Sequence, residues 1–366
     1  MARLSGWEMA AGGQPLRPVA RELPAPGPDD AVVRVAGCGV CHTDLGFLHD
    51  GVRTRHALPL ILGHEISGYV EDAGKNVAHL VGRAVVVPAV LPCGECALCR
   101  SGWSTICKSQ VMPGNDRDGG FATRAMLPGR FLCPVPGADA SPDAPLGRAR
   151  GLTLRHLAVV ADAVSTAYQA VRRSGAGPGC LAVVVGLGGV GTFAAQLAAD
   201  AGAAVVGLDV DPRRLEAAAG LKVGLALDPR SCSPKELRGR ITEFGRAAGA
   251  SETGRVIFEC SGTVSGQQTA WSLLGYGATL MVVGYTMDET ALRLSNLMAF
   301  DARALGNWGC APELYPPLVE KVLAGSLDVV SHTKLAPLSS IADVLEGVRA
   351  RREDRRIVLV PGEEGA

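Results

Sequence analysis

Two hydrophobic patterns follow one another along the chain. In the N-terminal part, short apolar runs at residues 31–35, 69–71 and 83–87 are separated by glycine, proline and polar residues, which is typical of an antiparallel, barrel-like β domain. From residue 181 onward, fully apolar runs alternate with longer segments of helical spacing. Because alternating strands and helices favour a parallel sheet covered on both faces, this second part predicts a doubly wound α/β domain.

The predicted elements can be placed by residue number. In the first part, a turn is predicted at 37–40 and a short helix at 43–49. The second part is predicted to contain strands at 181–185, 204–208, 255–258 and 278–283, and helices at 165–173, 190–201, 212–220, 234–248 and 265–274. Helices at 312–323 and 341–349 and a strand at 356–360 are predicted to rejoin the first domain. The predicted domains are therefore 1–165 with 305–366, and 166–304.

The composition excludes several classes of protein. With 366 residues, of which 47% are hydrophobic, the chain is long enough for about two domains with large cores. Its 36 basic and 36 acidic residues balance, whereas a nucleic-acid-binding surface requires a basic excess. No window of about 18 apolar residues predicts a membrane span, and residues 1–21 lack the apolar core of a signal peptide. We therefore expect a cytoplasmic protein without nucleic-acid or membrane partners. The spacing of its 11 cysteines favours metal binding by some of them over disulfides.

One candidate metal site combines residues that are far apart in the sequence. Cys41 offers a thiolate, His64 an imidazole, and Asp162 a carboxylate at the end of an apolar run. Three such protein ligands suit zinc and leave the fourth coordination position open, which is the arrangement of a catalytic site. A carboxylate would be costly to bury without a partner, and the alternative role of Asp162 is to cap a helix.

A second candidate site lies in one short segment, at about residues 90–110. Its cysteines follow the spacing C-x2-C-x2-C-x7-C and are Cys93, Cys96, Cys99 and Cys107. Four thiolates can close a tetrahedron around a structural zinc ion and stabilise a lobe that lacks its own core. The same spacing can hold an iron–sulfur cluster, and four unrelated free thiols are the remaining alternative.

A glycine-rich turn follows the first strand of the second domain. Residues 186–191 read Gly-Leu-Gly-Gly-Val-Gly, with a strand before them and a helix after them. In this context G-x-G-x-x-G binds a dinucleotide: Gly186 permits the turn, Gly188 lets the pyrophosphate approach, and Gly191 lets the helix pack on the strand. The helix N-terminus, with Gly189 and Val190, would supply unpaired N–H groups to the phosphate oxygens.

The type of dinucleotide depends on the residues that follow the next strand. Asp209 lies 18 residues after the last glycine of the turn, where a carboxylate binds ribose hydroxyls and repels a 2′-phosphate. This favours NAD, although Arg213 and Arg214 could instead attract the phosphate of NADP. Ser261 and Val283 end later strands and are expected to line the cofactor cleft.

Taken together, these motifs resemble the zinc-dependent medium-chain alcohol dehydrogenases over essentially the whole chain. The glycine turn and the four cysteines occur in that family's order, after a first motif that reads Gly63-His64-Glu65-x2-Gly68-x5-Gly74-x2-Val77. The resemblance implies a GroES-like catalytic domain, a Rossmann domain, NAD, and two zinc ions per subunit of a homodimer or homotetramer. It implies catalytic zinc on Cys41, His64 and Asp162, and structural zinc on the four cysteines. Glu65 would be a carboxylate able to swing onto the metal, and Asp44 would either accept a hydrogen bond from His64 or cap a helix.

The resemblance also implies roles for the residues next to Cys41. Thr43 is expected to accept the proton of the substrate hydroxyl and pass it outward, and His42 is expected to help hold the pyrophosphate. Many members of the family have a histidine at the position of Gly46, and its absence leaves His49 or water for the proton exit.

Further similarity narrows the expected substrate. Four stretches are similar to the 6-hydroxycyclohex-1-ene-1-carbonyl-CoA dehydrogenases, a subfamily that oxidises a ring alcohol beside an alkene thioester; they are residues 36–46, 112–121, 157–170 and 303–310. We therefore expect a small-molecule substrate, with a cyclic acyl-CoA thioester as the favoured class. The alternatives are another secondary alcohol, reduction of an activated alkene, and a zinc-stabilised nucleotide sensor without redox activity.

Overall fold

The computed structural model describes residues 2–138 and 141–362, and the chain divides into two compact units. The first unit contains the described residues up to Ser165 together with those from Gly309 onward, and the second unit is Thr166–Trp308. The corresponding predicted boundaries are 165/166 and 304/305. In the described part of the chain, no helix is long and apolar enough to cross a bilayer.

The elements are numbered in chain order. The strands are β1 (Arg3–Met9), β2 (Arg17–Glu22), β3 (Asp30–Gly39), β4 (Leu60–Ile61), β5 (Glu65–Ala73), β6 (Ala84–Val87), β7 (Arg124–Pro128), β8 (Cys133–Pro134), β9 (Leu181–Val185), β10 (Ala204–Leu208), β11 (Leu225–Leu227), β12 (Val256–Glu259), β13 (Thr279–Val282), β14 (Arg303–Gly306), β15 (Thr333–Pro337) and β16 (Arg356–Val360). The α-helices are α1 (His42–His49), α2 (Ala97–Arg100), α3 (Ala163–Ser174), α4 (Gly191–Asp200), α5 (Pro212–Ala217), α6 (Pro234–Ala247), α7 (Val264–Ser272), α8 (Ser295–Phe300), α9 (Tyr315–Leu323) and α10 (Ile341–Arg349). The 3₁₀ helices are Ala78–Leu80, Ser104–Ile106, Leu154–Ala161, Ala218–Leu221, Pro312–Leu314 and Leu338–Ser340.

The first unit is built around a mostly antiparallel sheet in the order β15-β16-β3-β5-β6-β8. The long strand β3 pairs with β5 on one edge, and it divides its other edge between β7, along Asp30–Arg34, and β16, at Cys38 and Gly39. A smaller sheet has the order β2-β1-β4. Apolar side chains such as Val33, Ile66 and Phe121 are fully buried in the core. The predicted antiparallel, barrel-like domain is confirmed.

The predicted turn at residues 37–40 is wrong, because Gly37–Gly39 form the last residues of β3. These residues pair with Ser67, Ile66 and Glu65 after a bulge in the strand register. A Cβ atom on Gly39 would lie only 1.9 Å from Glu65 Oε2. Glycine is therefore needed here for the close approach of two strands rather than for a turn.

The second unit, all of whose residues are described, contains one parallel sheet in the order β11-β10-β9-β12-β13-β14. This confirms the doubly wound α/β prediction, and β11 and β14 are edge strands that the prediction missed. Both edge strands are short: β11 buries only Leu227 and β14 is mostly exposed, so their hydrophobic signal is weak. Central strands carry the core, with Val183, Val206 and Ile257 fully buried.

Two predicted helices are interrupted by 3₁₀ structure. The helix predicted at 212–220 is α5 followed by the 3₁₀ turn Ala218–Leu221, which ends at Lys222 in a left-handed conformation with φ 60°. The helix predicted at 312–323 begins as 3₁₀ structure and becomes α-helical at Tyr315. Two prolines occupy the first turn of α9, where their missing N–H groups cost no hydrogen bond.

Candidate metal centres and dinucleotide site

Four side chains from distant parts of the first unit converge on one point. Cys41 precedes α1, His64 and Glu65 lie at the start of β5, and Asp162 lies between the 3₁₀ helix Leu154–Ala161 and α3. Each offers a ligand atom, and these atoms all lie within 4.8 Å of one another. Asp162 Oδ2 is 3.8 Å from Cys41 Sγ and 3.5 Å from His64 Nε2. The three residues that were predicted as catalytic zinc ligands are thus brought together.

Asp44 holds the imidazole of His64 in place. Asp44 Oδ1 lies 3.3 Å from His64 Nδ1, and both side chains are 1% exposed. The same carboxylate accepts hydrogen bonds from the backbone N–H groups of Cys41, at 2.9 Å, and Gly63, at 3.2 Å. The two roles considered for Asp44 are therefore compatible, because it caps the start of α1 and faces the histidine.

The chemistry of the cluster fits a divalent cation. Burial alone would lower the pKa of His64, but the charge of Asp44 and the nearby Asp162 carboxylate together raise this pKa well above its ordinary value. Within the described residues, neither ring nitrogen of His64 has a well-aligned hydrogen bond. One thiolate and one carboxylate balance the charge of a zinc ion, and the imidazole nitrogen facing them is a good third ligand.

The carboxylate of Glu65 is paired with Arg356, a residue that sequence reasoning missed. Arg356 Nε lies 3.1 Å from Glu65 Oε2, Arg356 Nη2 bonds Oε1, and both side chains are buried. The N–H of Ala163 also donates to Glu65 Oε1, at 3.2 Å. The swing onto the metal that the family resemblance implies would require Glu65 to leave this bidentate pair. The only sequence signal for Arg356 is a charge at the start of an otherwise apolar strand.

The four cysteines of the second candidate site also converge. Neighbouring sulfur atoms lie 3.5 to 3.9 Å apart. These distances are similar to the sulfur–sulfur edge of about 3.8 Å in a tetrahedron with zinc at its centre. All four thiols are free. The backbone N–H of Cys99 lowers the pKa of Cys96 to about 6, which favours the thiolate that a metal ion binds.

The segment that carries these cysteines has little hydrophobic core. Its regular structure is limited to α2 and the 3₁₀ turn Ser104–Ile106, and Trp103 is 51% exposed. A lobe with so little core would gain stability from a metal ion bound by the four sulfur atoms.

The predicted dinucleotide turn connects β9 to α4. Gly186 has φ 90°, and a Cβ atom on Gly191 would lie 1.7 Å from Gly186 O. Both positions therefore require glycine, one for the backbone conformation and the other for the close approach. Gly188, Gly189 and Val190 lie between them, at the start of α4.

Asp209 lies directly after β10 and organises this turn. Its carboxylate accepts hydrogen bonds from Leu187 N–H, at 2.7 Å, and Asp211 N–H, at 2.9 Å. Arg214 Nη1 lies 3.6 Å from Asp209 Oδ2, and a Cβ atom on Gly188 would lie 3.5 Å from the same nitrogen. Arg213 is paired with Asp211. Arg214 thus lies over the turn, with Asp209 offsetting its charge.

Ser261 and Val283 lie just beyond the ends of adjacent strands β12 and β13. Glu259, which sequence reasoning missed, connects them: its side chain accepts the N–H groups of Ser261 and Gly262, and its backbone oxygen accepts the N–H of Val283 at 2.9 Å. Burial raises the pKa of Glu259. The sequence signal that could have identified Glu259 is an acidic residue at the end of an apolar strand.

The remaining predicted residues lie on α1. Thr43 Oγ1 is 3.6 Å from Cys41 Sγ. His42 is the first residue of the helix and is exposed, whereas His49 is the last and is half-buried. Thr43 and His49 are six positions apart in the helix, or about 9 Å along its axis, so a proton relay between them needs an intermediate group.

Comparison with known proteins follows the same division of the chain. Residues 27–137 match the alcohol dehydrogenase GroES-like domain, and residues 189–324 match the zinc-binding dehydrogenase family. An alcohol dehydrogenase of Rhizobium meliloti (strain 1021) is 30% identical over 351 residues, which is 95% of this chain and 96% of that protein. An L-galactonate-5-dehydrogenase of Escherichia coli (strain K12) is 27% identical over 329 residues, covering 89% of this chain and 90% of the other.

A solved structure extends the comparison. The alcohol dehydrogenase of the hyperthermophilic archaeon Aeropyrum pernix is 29% identical and superposes with a TM-score of 0.82. The match covers 98% of this chain and 100% of that one. This chain therefore belongs to the zinc-dependent medium-chain alcohol dehydrogenases, a family of oxidoreductases that act on CH–OH groups.

Proposed function

We propose that the protein oxidises a cyclic secondary alcohol to its ketone, with NAD as hydride acceptor and zinc bound by Cys41, His64 and Asp162. The observation that carries this proposal is the convergence of a thiolate, an imidazole and a carboxylate, within 4.8 Å, in a member of this family. A zinc ion there would act as a Lewis acid on the substrate oxygen, and NAD would accept the hydride.

The residues around the ligands keep the site ready for this chemistry. Asp44 fixes the orientation of His64, as its 3.3 Å approach to Nδ1 supports. Arg356 neutralises Glu65, so that this buried carboxylate does not add a further negative charge to the ligand set. Together these contacts leave two negative ligands for a doubly charged ion.

Thr43 is proposed to take the proton of the substrate hydroxyl. Its Oγ1 atom lies 3.6 Å from Cys41 Sγ, next to the ligand set, and the residue is partly exposed. A hydroxyl in this position can accept one proton while donating its own outward. Water or His49 would complete the exit, since Gly46 offers no side chain.

The four cysteines are proposed to hold a second, structural zinc ion. Their near-tetrahedral sulfur spacing and the sparse core of residues 93–107 support this assignment. An iron–sulfur cluster is the alternative for this ligand set, and the two are separated by elemental analysis and by the colour of the purified protein.

NAD rather than NADP is proposed as the cofactor. The buried carboxylate of Asp209 would repel a 2′-phosphate, and the charges of Arg213 and Arg214 are offset by Asp211 and Asp209. The Arg213–Asp211 and Arg214–Asp209 pairs therefore offer no net positive charge to the 2′-phosphate of NADP.

For the substrate we propose 6-hydroxycyclohex-1-ene-1-carbonyl-CoA, which would be converted to the 6-oxo compound. The four similar stretches described above support this choice. Arg53, Arg55 and Arg117 are candidates for binding the CoA phosphates. Arg53 and Arg55 are exposed, and Arg55 and Arg117 are ion-paired with Asp116 and Asp30. A polyol acid is the second candidate, favoured by the similarity to L-galactonate-5-dehydrogenase.

A substrate panel tests the proposal. The purified protein would be assayed for reduced-nicotinamide absorbance with the cyclic hydroxyacyl-CoA, its free acid, a simple cyclic alcohol and L-galactonate. We expect a kcat/KM at least 100-fold higher for the thioester than for its free acid. Equal rates for the two would exclude CoA recognition, and preference for L-galactonate would favour the second candidate.

A further inference from the structure

The backbone at Asp162 has a conformation that interrupts two helices. The 3₁₀ helix Leu154–Ala161 ends there, and α3 begins at the next residue. Asp162 has φ −136° and ψ −66°, which belongs to neither helix. Its side chain can point toward Cys41 and His64 only while this break between the helices is held.

The carbonyl oxygen of Ala161, just before the break, is held by three donors. Tyr315 Oη–H donates to it at 2.6 Å, Ser165 Oγ–H at 3.1 Å, and Ala89 N–H at 3.2 Å. The shortest of these bonds comes from a residue 154 positions away. Just after the break, the N–H of Ala163 is bound by Glu65.

Tyr315 is fully buried at the start of α9. Ser165 Oγ lies 3.1 Å from this hydroxyl and 3.2 Å from the carbonyl oxygen of Asp162, so its single proton is shared between these acceptors and the carbonyl oxygen of Ala161. Burial raises the pKa of Tyr315, which keeps the hydroxyl protonated and able to donate. Burying a phenol hydroxyl costs free energy unless it makes a hydrogen bond. The hydrogen bond of Tyr315 is to Ala161, the residue before the proposed metal ligand.

We infer that Tyr315 is a positioning residue for Asp162, and that it sets the metal affinity of the site formed by Cys41, His64 and Asp162. This inference rests on the proposed function, because it assigns Asp162 to the metal. Without the Tyr315 hydroxyl, the carbonyl of Ala161 loses its shortest hydrogen bond and the Asp162 carboxylate samples orientations away from the other ligands. Loss of such an outer contact lowers metal affinity by about 10-fold to 100-fold.

The test compares Tyr315→Phe with a matched control, Tyr69→Phe. Tyr69 is also buried in the first unit, and its hydroxyl donates to the backbone oxygen of Ala138 at 2.8 Å. Each variant would be loaded with zinc and titrated with a chelator. The zinc that remains bound per chain would be measured by elemental mass spectrometry. Asp162→Ala identifies which step of the titration belongs to the catalytic site. We expect Tyr315→Phe to lose the catalytic-site zinc at a free chelator concentration about 10-fold lower than the parent protein does. Tyr69→Phe should lose it at the same concentration as the parent.

The outcomes separate this inference from the proposed function. If Tyr315→Phe and Tyr69→Phe release zinc alike, Tyr315 has no positioning role, although the proposed function stands. If the parent protein has no zinc that Asp162→Ala removes, both are overturned. Should Tyr315→Phe fail to fold, Ser165→Ala probes the same carbonyl, and unchanged zinc affinity in that variant would also overturn the inference.

Discussion

Removal of the Arg356 guanidinium should destabilise the first unit more than the loss of any surface ion pair. The side chains of Arg356 and Glu65 are 7% and 0% exposed, and they share two hydrogen bonds. Arg356→Met retains most of the apolar volume but leaves the carboxylate of Glu65 buried without its counter-charge. Breaking one partner of a buried pair in this way costs about 3 to 5 kcal/mol.

The measurement is urea unfolding of the chelator-treated protein, followed by circular dichroism. Arg349→Met is the matched control, because its pair with Glu346 is 58% exposed on both sides and should contribute at most about 0.5 kcal/mol. The double variant Arg356→Met with Glu65→Gln removes the uncompensated charge and should recover most of the loss.

Zinc provides a second arm of the same experiment. In Arg356→Met, the carboxylate of Glu65 is released from its partner while it remains within 4.8 Å of the other ligand atoms. A bound cation should then stabilise the variant more than it stabilises the parent, because it offsets an otherwise uncompensated charge. A loss below about 1 kcal/mol in Arg356→Met, similar to that of the exposed pair, would show that the buried pair does not stabilise the fold more than an exposed pair does.

Three further substitutions test the sites separately. Cys41→Ser should abolish turnover while NAD still binds, as measured by reduced-nicotinamide absorbance and by cofactor titration; unchanged turnover would refute the metal assignment. Asp209→Ala should weaken NAD binding and bring the kcat/KM values for NAD and NADP closer together, and a parent enzyme that already prefers NADP would contradict this reading. Cys96→Ser should reduce the zinc content by one ion per chain and expose the segment 93–107 to proteases, whereas full zinc retention would argue against a four-cysteine site.

Local motifs were predictable from the sequence because their parts are close together in the chain. The four cysteines lie within residues 93–107 and the glycine turn within 186–191, so spacing alone indicates which residues meet. Cys41, His64 and Asp162 are far apart, so their grouping was predicted from their ligand chemistry and from the resemblance to a family, not from spacing. The central strands of the parallel sheet were recognisable from continuous apolar runs.

Contacts between distant and ordinary-looking residues were not predictable. Arg356 and Glu65 are 291 positions apart, and nothing in either local sequence indicates the other. Tyr315 reads as a core aromatic, and its hydrogen bond to Ala161 depends on the tertiary fold. Gly37 and Gly39 were mistaken for turn residues because glycine serves equally where two backbones approach closely.

The way β3 divides its edge between β7 and β16 has a consequence for biosynthesis. Until residues 356–360 have been made, the strand that leads into Cys41 is paired at Cys38 and Gly39 on its β5 edge alone, and Glu65 lacks the Arg356 guanidinium. Residues 166–308 are complete well before that point, and domains generally fold as units during synthesis. The second unit can therefore fold before residues 356–360 have been made, whereas the buried pair beside the proposed zinc ligands forms only after them.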